Sequence, residues 1–235
     1  MDGKTVLLDL DGTLLPMEID DFLNAYFELL TKEFSGIFER KTFINNLMSA
    51  TKKMINNNGE KINKEIFIEV FFDLFQIDKK QEIEEVMDMF NFFYKEEFPL
   101  LKSQVKSRGL AEHLVKKMRA DGYRLVLATN PIFPIEAIEE RLHWINVKPG
   151  DFSLITNYEN MHYCKPNINY YKEIIELLNI EGSSCIMIGN DVQEDMVAGK
   201  LGMRTYLVTD FLIDRNEDKS NYDWKGTFEE LLKLF

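Results

Sequence analysis

Cysteine is scarce: Cys164 and Cys185 are the only two in 235 residues, and they make neither a disulfide framework nor a metal-ligand pair. Basic charge is also short. Against 40 Asp and Glu stand 28 Lys and Arg, a formal charge of −12, and this excludes the dense basic face that a non-specific grip on nucleic acid or anionic membrane needs. An anionic substrate must therefore be held by a local device, such as a metal ion or a placed lysine. Long apolar runs are missing as well. No stretch approaches the roughly 18 residues of a membrane span, and residues 1–4 lack the apolar stretch of a signal peptide. The expectation is a monomeric cytoplasmic protein with no nucleic-acid and no membrane partner. Its length suits one domain carrying a large insertion as well as two in tandem.

What is present begins with Thr5-Val6-Leu7-Leu8, a short aliphatic run that reads as a buried strand. It delivers two carboxylates, Asp9 and Asp11, ahead of Gly12 and Thr13. Side chains alternate along extended backbone, so residues two apart project the same way into one small volume. Two anions that close need a cation or a shared proton. Gly12 permits a sharp turn and Thr13 offers a hydroxyl to fasten it. Taken alone, Asp-x-Asp-Gly could equally be the end of a strand and nothing more.

From residue 17 to 99 the pattern is helical. Apolar residues recur at three- and four-residue spacing in four segments, at 22–34, 43–55, 66–75 and 83–93. The dense phenylalanines of this region, at that spacing, are read as core. After Pro99 strands alternate with helices. Apolar runs at 123–128, 152–156, 184–188 and 205–209 are separated by helical patterns at 110–119, 135–142 and 170–178 and by a short helix before Gly202, and 228–234 closes as a helix. That alternation implies right-handed parallel crossovers. The predicted fold is α/β: a Rossmann-like open parallel five-stranded sheet, residues 1–16 and 100–235, with an inserted all-α helical cap, residues 17–99.

In such sheets the site lies beyond the carboxyl ends of the strands. Those ends carry Asp9 and Asp11, then Thr129 and Asn130, then Asp191. Asp191 and Asp195 stand four apart at an expected helix start, on one face. Four converging carboxylates call for a counter-charge, and a hard divalent ion with oxygen ligands, such as magnesium, supplies it most economically. Lys165 is the one lysine expected near this rim. Each feature singly has a plainer reading, as a turn, a helix start or a cap.

Their order along the chain resembles that of the haloacid dehalogenase superfamily, in particular its phosphatase-like members with an inserted helical cap, relatives of phosphoglycolate phosphatase and β-phosphoglucomutase. Asp9-x-Asp11-Gly12-Thr13 is similar to the first motif, Leu127-Ala128-Thr129-Asn130 to the second, Lys165-Pro166 to the third and Gly189-Asn190-Asp191-x-x-x-Asp195 to the fourth. Asn190 departs from the glycine or acid of many relatives, and residues 106–110 lack a common proline-glycine. The resemblance implies Asp9 as nucleophile, forming an aspartyl-phosphate, and Asp11 as general acid and then base. It implies Mg2+ held by Asp9, the Asp11 carbonyl and Asp191, with Asp195 orienting these ligands, and phosphoryl oxygens bound by Thr129, the Asn130 backbone and Lys165.

The function expected is a magnesium-dependent phosphomonoesterase for a small phosphorylated metabolite. A phosphomutase of the β-phosphoglucomutase type uses the same rim, although no cap residue argues for it. Superfamily dehalogenases keep no acid two residues after the nucleophile, so Asp11 counts against that chemistry. A non-catalytic binding module would have little reason to retain so costly a cluster of charge. For the substrate's far end the basic candidates are Arg40, Lys52, Lys53 and Lys61, each of which could equally belong to a solvated face. His162 lies a few residues before Lys165, where a role near the site is conceivable.

Overall fold

The computed structural model describes residues 4–105, 109–215 and 221–235; the readings made for residues 1–4 and 106–110 fall mostly on residues outside these. A single parallel sheet forms the centre. Its strands are β1 (Thr5–Leu8), β2 (Arg124–Leu127), β3 (Leu154–Ile155), β4 (Cys185–Gly189), β5 (Arg204–Val208) and β6 (Trp224–Gly226), in the order β3-β2-β1-β4-β5-β6. Six strands are present where five were predicted. The extra one, β6, pairs Tyr206 with Trp224 at the sheet's edge. Three residues long with Lys225 exposed, it has no apolar run or alternation by which to be read.

The central strands are buried on both faces, and β1 is accordingly buried at every position and apolar from Val6 to Leu8. Val6 and Leu8 pack into one hydrophobic cluster. Leu7 packs into another, with Tyr170, Tyr171 and Ile174 of the helix Ile168–Leu178. In register, Leu8 lies between Leu127 of β2 and Ile188 of β4, so three strand ends open onto one rim.

Between β1 and β2 come α1 (Ile19–Glu33), α2 (Arg40–Ile55), α3 (Asn63–Phe75), α4 (Lys80–Phe92) and α5 (Leu110–Ala120). A π-helical turn, Phe93–Glu97, and a 3-10 stretch, Phe98–Gln104, continue from α4. α1 to α4 bury their apolar stripes together, with Phe34, Phe43, Phe71 and Phe90 among the rings. Later in the chain come α6 (Ile135–Trp144), α7 (Ile168–Leu178) and α8 (Phe228–Leu231). Phe98 joins the two parts, standing 6.1 Å from Phe22 of α1 and 5.5 Å from Trp144 of α6. The helix expected before Gly202 is a 3-10 stretch, Met196–Leu201. No helix among the described residues is long and apolar enough to cross a membrane.

Candidate active site

At the end of β1 the Asp9 amide donates to the Ile188 carbonyl at 2.9 Å, which carries the ladder one residue past the strand. The chain then folds back. Both Thr13 and Leu15 amides donate to the Leu10 carbonyl, and Gly12 takes φ +79°, a conformation that a side chain would strain. Asp9 continues the parity of Leu7 towards the α7 face, where Lys165 donates to its Oδ1 at 2.9 Å. The Thr13 hydroxyl donates to Oδ2 at 3.0 Å.

Lys165 is buried and shared. Its Nζ also donates to Asp195 Oδ1 at 2.6 Å. Burial works to lower the ammonium's pKa, but the charges of Asp195 and Asp9 outweigh it and hold the pKa well above the ordinary lysine value. Asp195 Oδ2 accepts from the Asp191 amide at 3.0 Å. A Cβ on Gly189 would come within 2.0 Å of that oxygen, so β4 must end in glycine for Asp195 to tuck beneath the rim. Burial raises the Asp195 pKa.

Asp11 lines the same cavity as Asp9, but its cation is different. The turn after Leu10 breaks the strand alternation, and Asp11 Oδ2 accepts from Arg141 of α6. Only 1% of the Arg141 side chain is exposed. Its Nε donates to the Ala137 carbonyl at 3.0 Å, and the guanidinium lies 4.6 Å from the centre of the Phe133 ring. Asp11 Oδ1 is buried and has no hydrogen-bond partner among the described residues. Burial pushes the Asp11 pKa up; Arg141 pulls against it and Asp9 adds to it.

Asp191 has a third cation. Arg215, on the loop after β5, donates to Asp191 Oδ2 at 2.6 Å and lies 3.7 Å from Glu194. Asp191 Oδ1 accepts from the Gln193 and Glu194 amides, each at 2.9 Å, which closes a turn. Residues 191–195 are therefore turns, not the first turn of an α-helix, and the shared helix face expected of Asp191 and Asp195 does not form. Lys165 thus serves Asp9 and Asp195, Arg141 serves Asp11, and Arg215 lies between Asp191 and Glu194. Glu194 is mostly buried, and this lifts its pKa to about 7; its Oε2 accepts from the Asn130 side chain at 3.1 Å. Asn130 Oδ1 in turn accepts from the Lys165 amide at 3.2 Å. Thr129 is buried beside them, its carbonyl accepting from the Tyr170 hydroxyl at 2.9 Å.

Arg141, Glu194 and Arg215 were not foreseen: the acids were expected to meet at the rim with Lys165 as the one nearby lysine and a divalent ion as their counter-charge, and the folded chain adds two arginines and a fifth carboxylate. Arg141 had left a trace in the sequence, as a cation among Ala137, Ile138 and Leu142 on the buried stripe of α6. Arg215 sits in a loop and left none. His162, in contrast, pairs with Glu173 at 2.6 Å and does not line the cavity.

With five carboxylates (Asp9, Asp11, Asp191, Glu194, Asp195) and three cations, full ionisation leaves two negative charges in excess. A dication would balance that excess. Its protein donors would be the carboxylates of Asp9 and Asp191 and the Asp11 carbonyl, to which no group among the described residues donates. No cluster of three or more His, Cys, Asp or Glu suited to a metal occurs among the described residues. Two carboxylates and one carbonyl, completed by water and substrate oxygens, are a donor set of the kind magnesium accepts, and Arg215 would have to release Asp191.

The cavity that these residues line has a volume of about 510 Å³. A family model described as haloacid dehalogenase-like hydrolase matches residues 4–202. The chain belongs to that family. None of the curated proteins compared with it matches. Similar solved structures include a predicted phosphoglycolate phosphatase from Haemophilus somnus 129PT (15% identity, TM-score 0.59, covering 100% of this chain and 98% of that one). They also include a 2-haloacid dehalogenase from Pseudomonas syringae pv. tomato DC3000 (14%, 0.65, 99% and 97%) and the HAD-hydrolase YfnB from Bacillus subtilis bound to magnesium (18%, 0.56, 100% and 99%). At such identities the likeness speaks for the fold. Membership makes the chain a hydrolase, and the choice between phosphate and halide chemistry rests on its own residues. Among them Asn190, the departure in the fourth motif, accepts from Thr13 at 3.2 Å and donates to the Phe211 carbonyl at 2.6 Å. It thereby ties the first turn of this haloacid dehalogenase-like hydrolase to the loop after β5.

Proposed function

We propose that the chain is a magnesium-dependent phosphomonoesterase working through an aspartyl-phosphate on Asp9. The observation that carries this reading is Asp11, an acid two residues from the nucleophile with one oxygen on Arg141 and the other unpartnered among the described residues. Buried polar atoms without partners are rare enough to need a reason. A group that gives a proton to a leaving oxygen and later takes one from water supplies that reason, and a dehalogenase has no use for it.

In the first step an Asp9 carboxylate oxygen bonds to phosphorus, the ester P–O bond breaks, and the departing oxygen takes its proton from Asp11. In the second, Asp11 accepts a proton from water as that water bonds to phosphorus; the Asp9–phosphorus bond breaks, inorganic phosphate leaves, and both carboxyls are restored. Lys165, Thr129 and the Asn130 backbone hold the phosphoryl oxygens as charge spreads over them. Asp195 fixes Lys165. Magnesium, held by Asp9, the Asp11 carbonyl and Asp191, would supply further neutralisation of that charge.

Residues 17–99 serve as the cap over residues 1–16 and 100–235, excluding water from the intermediate. Interdomain movement, named for the magnesium-bound YfnB structure, is the motion such a cap would use. The substrate is a small phosphorylated metabolite. Two buried free cysteines suit a reducing, cytoplasmic setting.

The test is hydrolysis of an aryl phosphate with and without magnesium, followed by intact-mass measurement after an acid quench. Activity should vanish in excess chelator. Asp11→Asn should accumulate a phosphorylated protein, since an activated leaving group needs no acid while hydrolysis of the intermediate needs a base. Asp9→Asn should show no label, and equal labelling of both variants would refute the assignment.

A further inference from the structure

A second cavity, of about 210 Å³, lies among α1, α2, α3, α4, the π-helical turn and the segment following β2, away from every carboxylate of the site. It abuts the first. Leu23, Ile132 and Phe133 line both, and Phe133 is the ring on which Arg141, the partner of Asp11, is stacked at 4.6 Å. From the proposed proton donor to the second cavity is thus a relay of two side chains.

Its wall carries no charged residue and almost nothing polar. The Thr51 hydroxyl is committed to the Leu47 carbonyl at 2.9 Å. The Tyr26 and Tyr94 hydroxyls bond each other at 2.9 Å, Tyr94 arriving there on the π-helical turn. Meanwhile the four basic residues singled out from the sequence are elsewhere. Lys61 is paired with Glu69 on the surface, Lys52 and Lys53 are exposed, and Arg40 borders a different depression beside Leu100 and Ser103. Tyr158 adds a third tyrosine ring to the wall, so a charged or heavily hydroxylated group placed here would lose its water and find no counter-charge and only tyrosine hydroxyls as partners, a cost that an apolar group does not meet.

We propose that this cavity binds the leaving group of the substrate, and that the substrate is a phosphate monoester of an apolar alcohol, bearing one aromatic ring or a chain of about five or six carbons. The size is right for that. An apolar cavity of roughly 150 Å³ already accommodates benzene, and binding sites are typically apolar pockets with few polar groups. Between the two tyrosine hydroxyls only one proton is used in their mutual bond, which leaves the other for a single acceptor oxygen on the occupant. Sugar phosphates, the substrates a mutase would need, are excluded from this space by the same argument. The proposal rests on the phosphomonoesterase reading above and adds to it the chemistry of the alcohol.

The experiment uses the full chain with magnesium and measures kcat/KM for straight-chain alkyl phosphates from methyl to hexyl, with acetyl phosphate and glycerol phosphate alongside. Each methylene that enters the cavity should raise kcat/KM about fourfold, the equivalent of ~0.8 kcal/mol per buried CH2, so three buried methylenes give about sixtyfold and all five by which hexyl exceeds methyl phosphate about a thousandfold. A carboxylate at the chain's far end should abolish the gain. Thr51→Trp, which fills the cavity from α2, should flatten the series. Turnover of acetyl phosphate together with a flat alkyl series, or with glycerol phosphate preferred to hexyl phosphate, overturns the apolar-alcohol proposal and leaves the phosphatase reading standing. No turnover of any of these compounds overturns both.

Discussion

Replacing Arg141 with Met tests how the Asp11 charge is held. The substitution keeps the length and much of the apolar stem of a side chain that is 1% exposed, so the packing lost is modest. What is lost is the ion pair to Asp11, the Nε bond to Ala137 and the stacking on Phe133. Removing one partner of a buried pair costs about 3 to 5 kcal/mol, because the survivor remains charged and desolvated. Asp11 retains some contact with solvent and can escape by protonation, so about 3 kcal/mol is expected near pH 8. In a chain of 235 residues that lowers Tm by roughly 6 to 12 °C. The sign of the pH dependence follows from Asp11. Its folded pKa is raised by burial, so the stability associated with its protonated form is fully present below the unfolded value near 3.8 and is lost as pH rises through the folded one. Without Arg141 that folded pKa climbs further. The deficit of Arg141→Met should therefore be small at pH 5 and grow towards pH 8. Adding Asp11→Asn removes the stranded charge and should restore most of the loss, since a buried pair replaced by neutral groups is often close to neutral overall. Urea unfolding of the two single variants and the double variant supplies the cycle. A double variant as unstable as Arg141→Met, or a deficit that is the same at pH 5 and pH 8, would refute the reasoning.

Glu194→Gln should flatten the pH dependence of stability in chelator. The folded pKa near 7 means a contribution fully present below about 4.5 and lost as pH rises through about 7, so at pH 8 the variant should be the more stable by about 1 to 2 kcal/mol once its partial exposure is allowed for; an unchanged profile in thermal melts counts against it. Arg215→Gln should tighten magnesium binding measured by calorimetry, because it frees Asp191 from a competitor. The pair is half exposed on the arginine side, so the gain is at most about fivefold, and weaker binding in the variant would show instead that Arg215 supports the site.

The sheet's centre was readable because a parallel strand with helices on both faces is buried at every position and therefore mostly apolar, as β1 and β4 are. The edges were not. β3 is two half-buried residues and β6 is three, too short for any period to register. The four helices of residues 17–99 were legible from their stripes, Asp9, Asp11 and Asp191 from their positions just past strand ends, and Lys165 from its place before the proline ahead of a helix. Sequence spacing conveyed nothing of how the charges pair. Asp9 and Asp11, two apart, take cations 165 and 141 from different helical flanks of the sheet; the reversal at Leu10 decides that, and only the folded turn reveals it. Likewise residue type offered only Arg40, Lys52, Lys53 and Lys61 as candidates for the substrate's far end, each equally readable as part of a solvated face, whereas the cavity that borders the site is walled largely by aromatic and aliphatic side chains whose individual patterns read simply as core.

The place of β1 in the sheet bears on how the chain comes off the ribosome. Its neighbours are Arg124–Leu127 and Cys185–Gly189, so the first strand made waits for more than a hundred residues to gain one partner and about 180 to gain both. At synthesis rates of roughly 5–20 residues per second, the wait for the second is about 10 to 40 s. Over that interval the intervening helices, whose contacts are local and quick to form, are already available, and Leu8 shares a hydrophobic cluster with Phe22 and Phe98 of that region. The helices that later roof the site are thus also the first shelter an unpaired, sticky strand can find while the rest of the sheet is still being made.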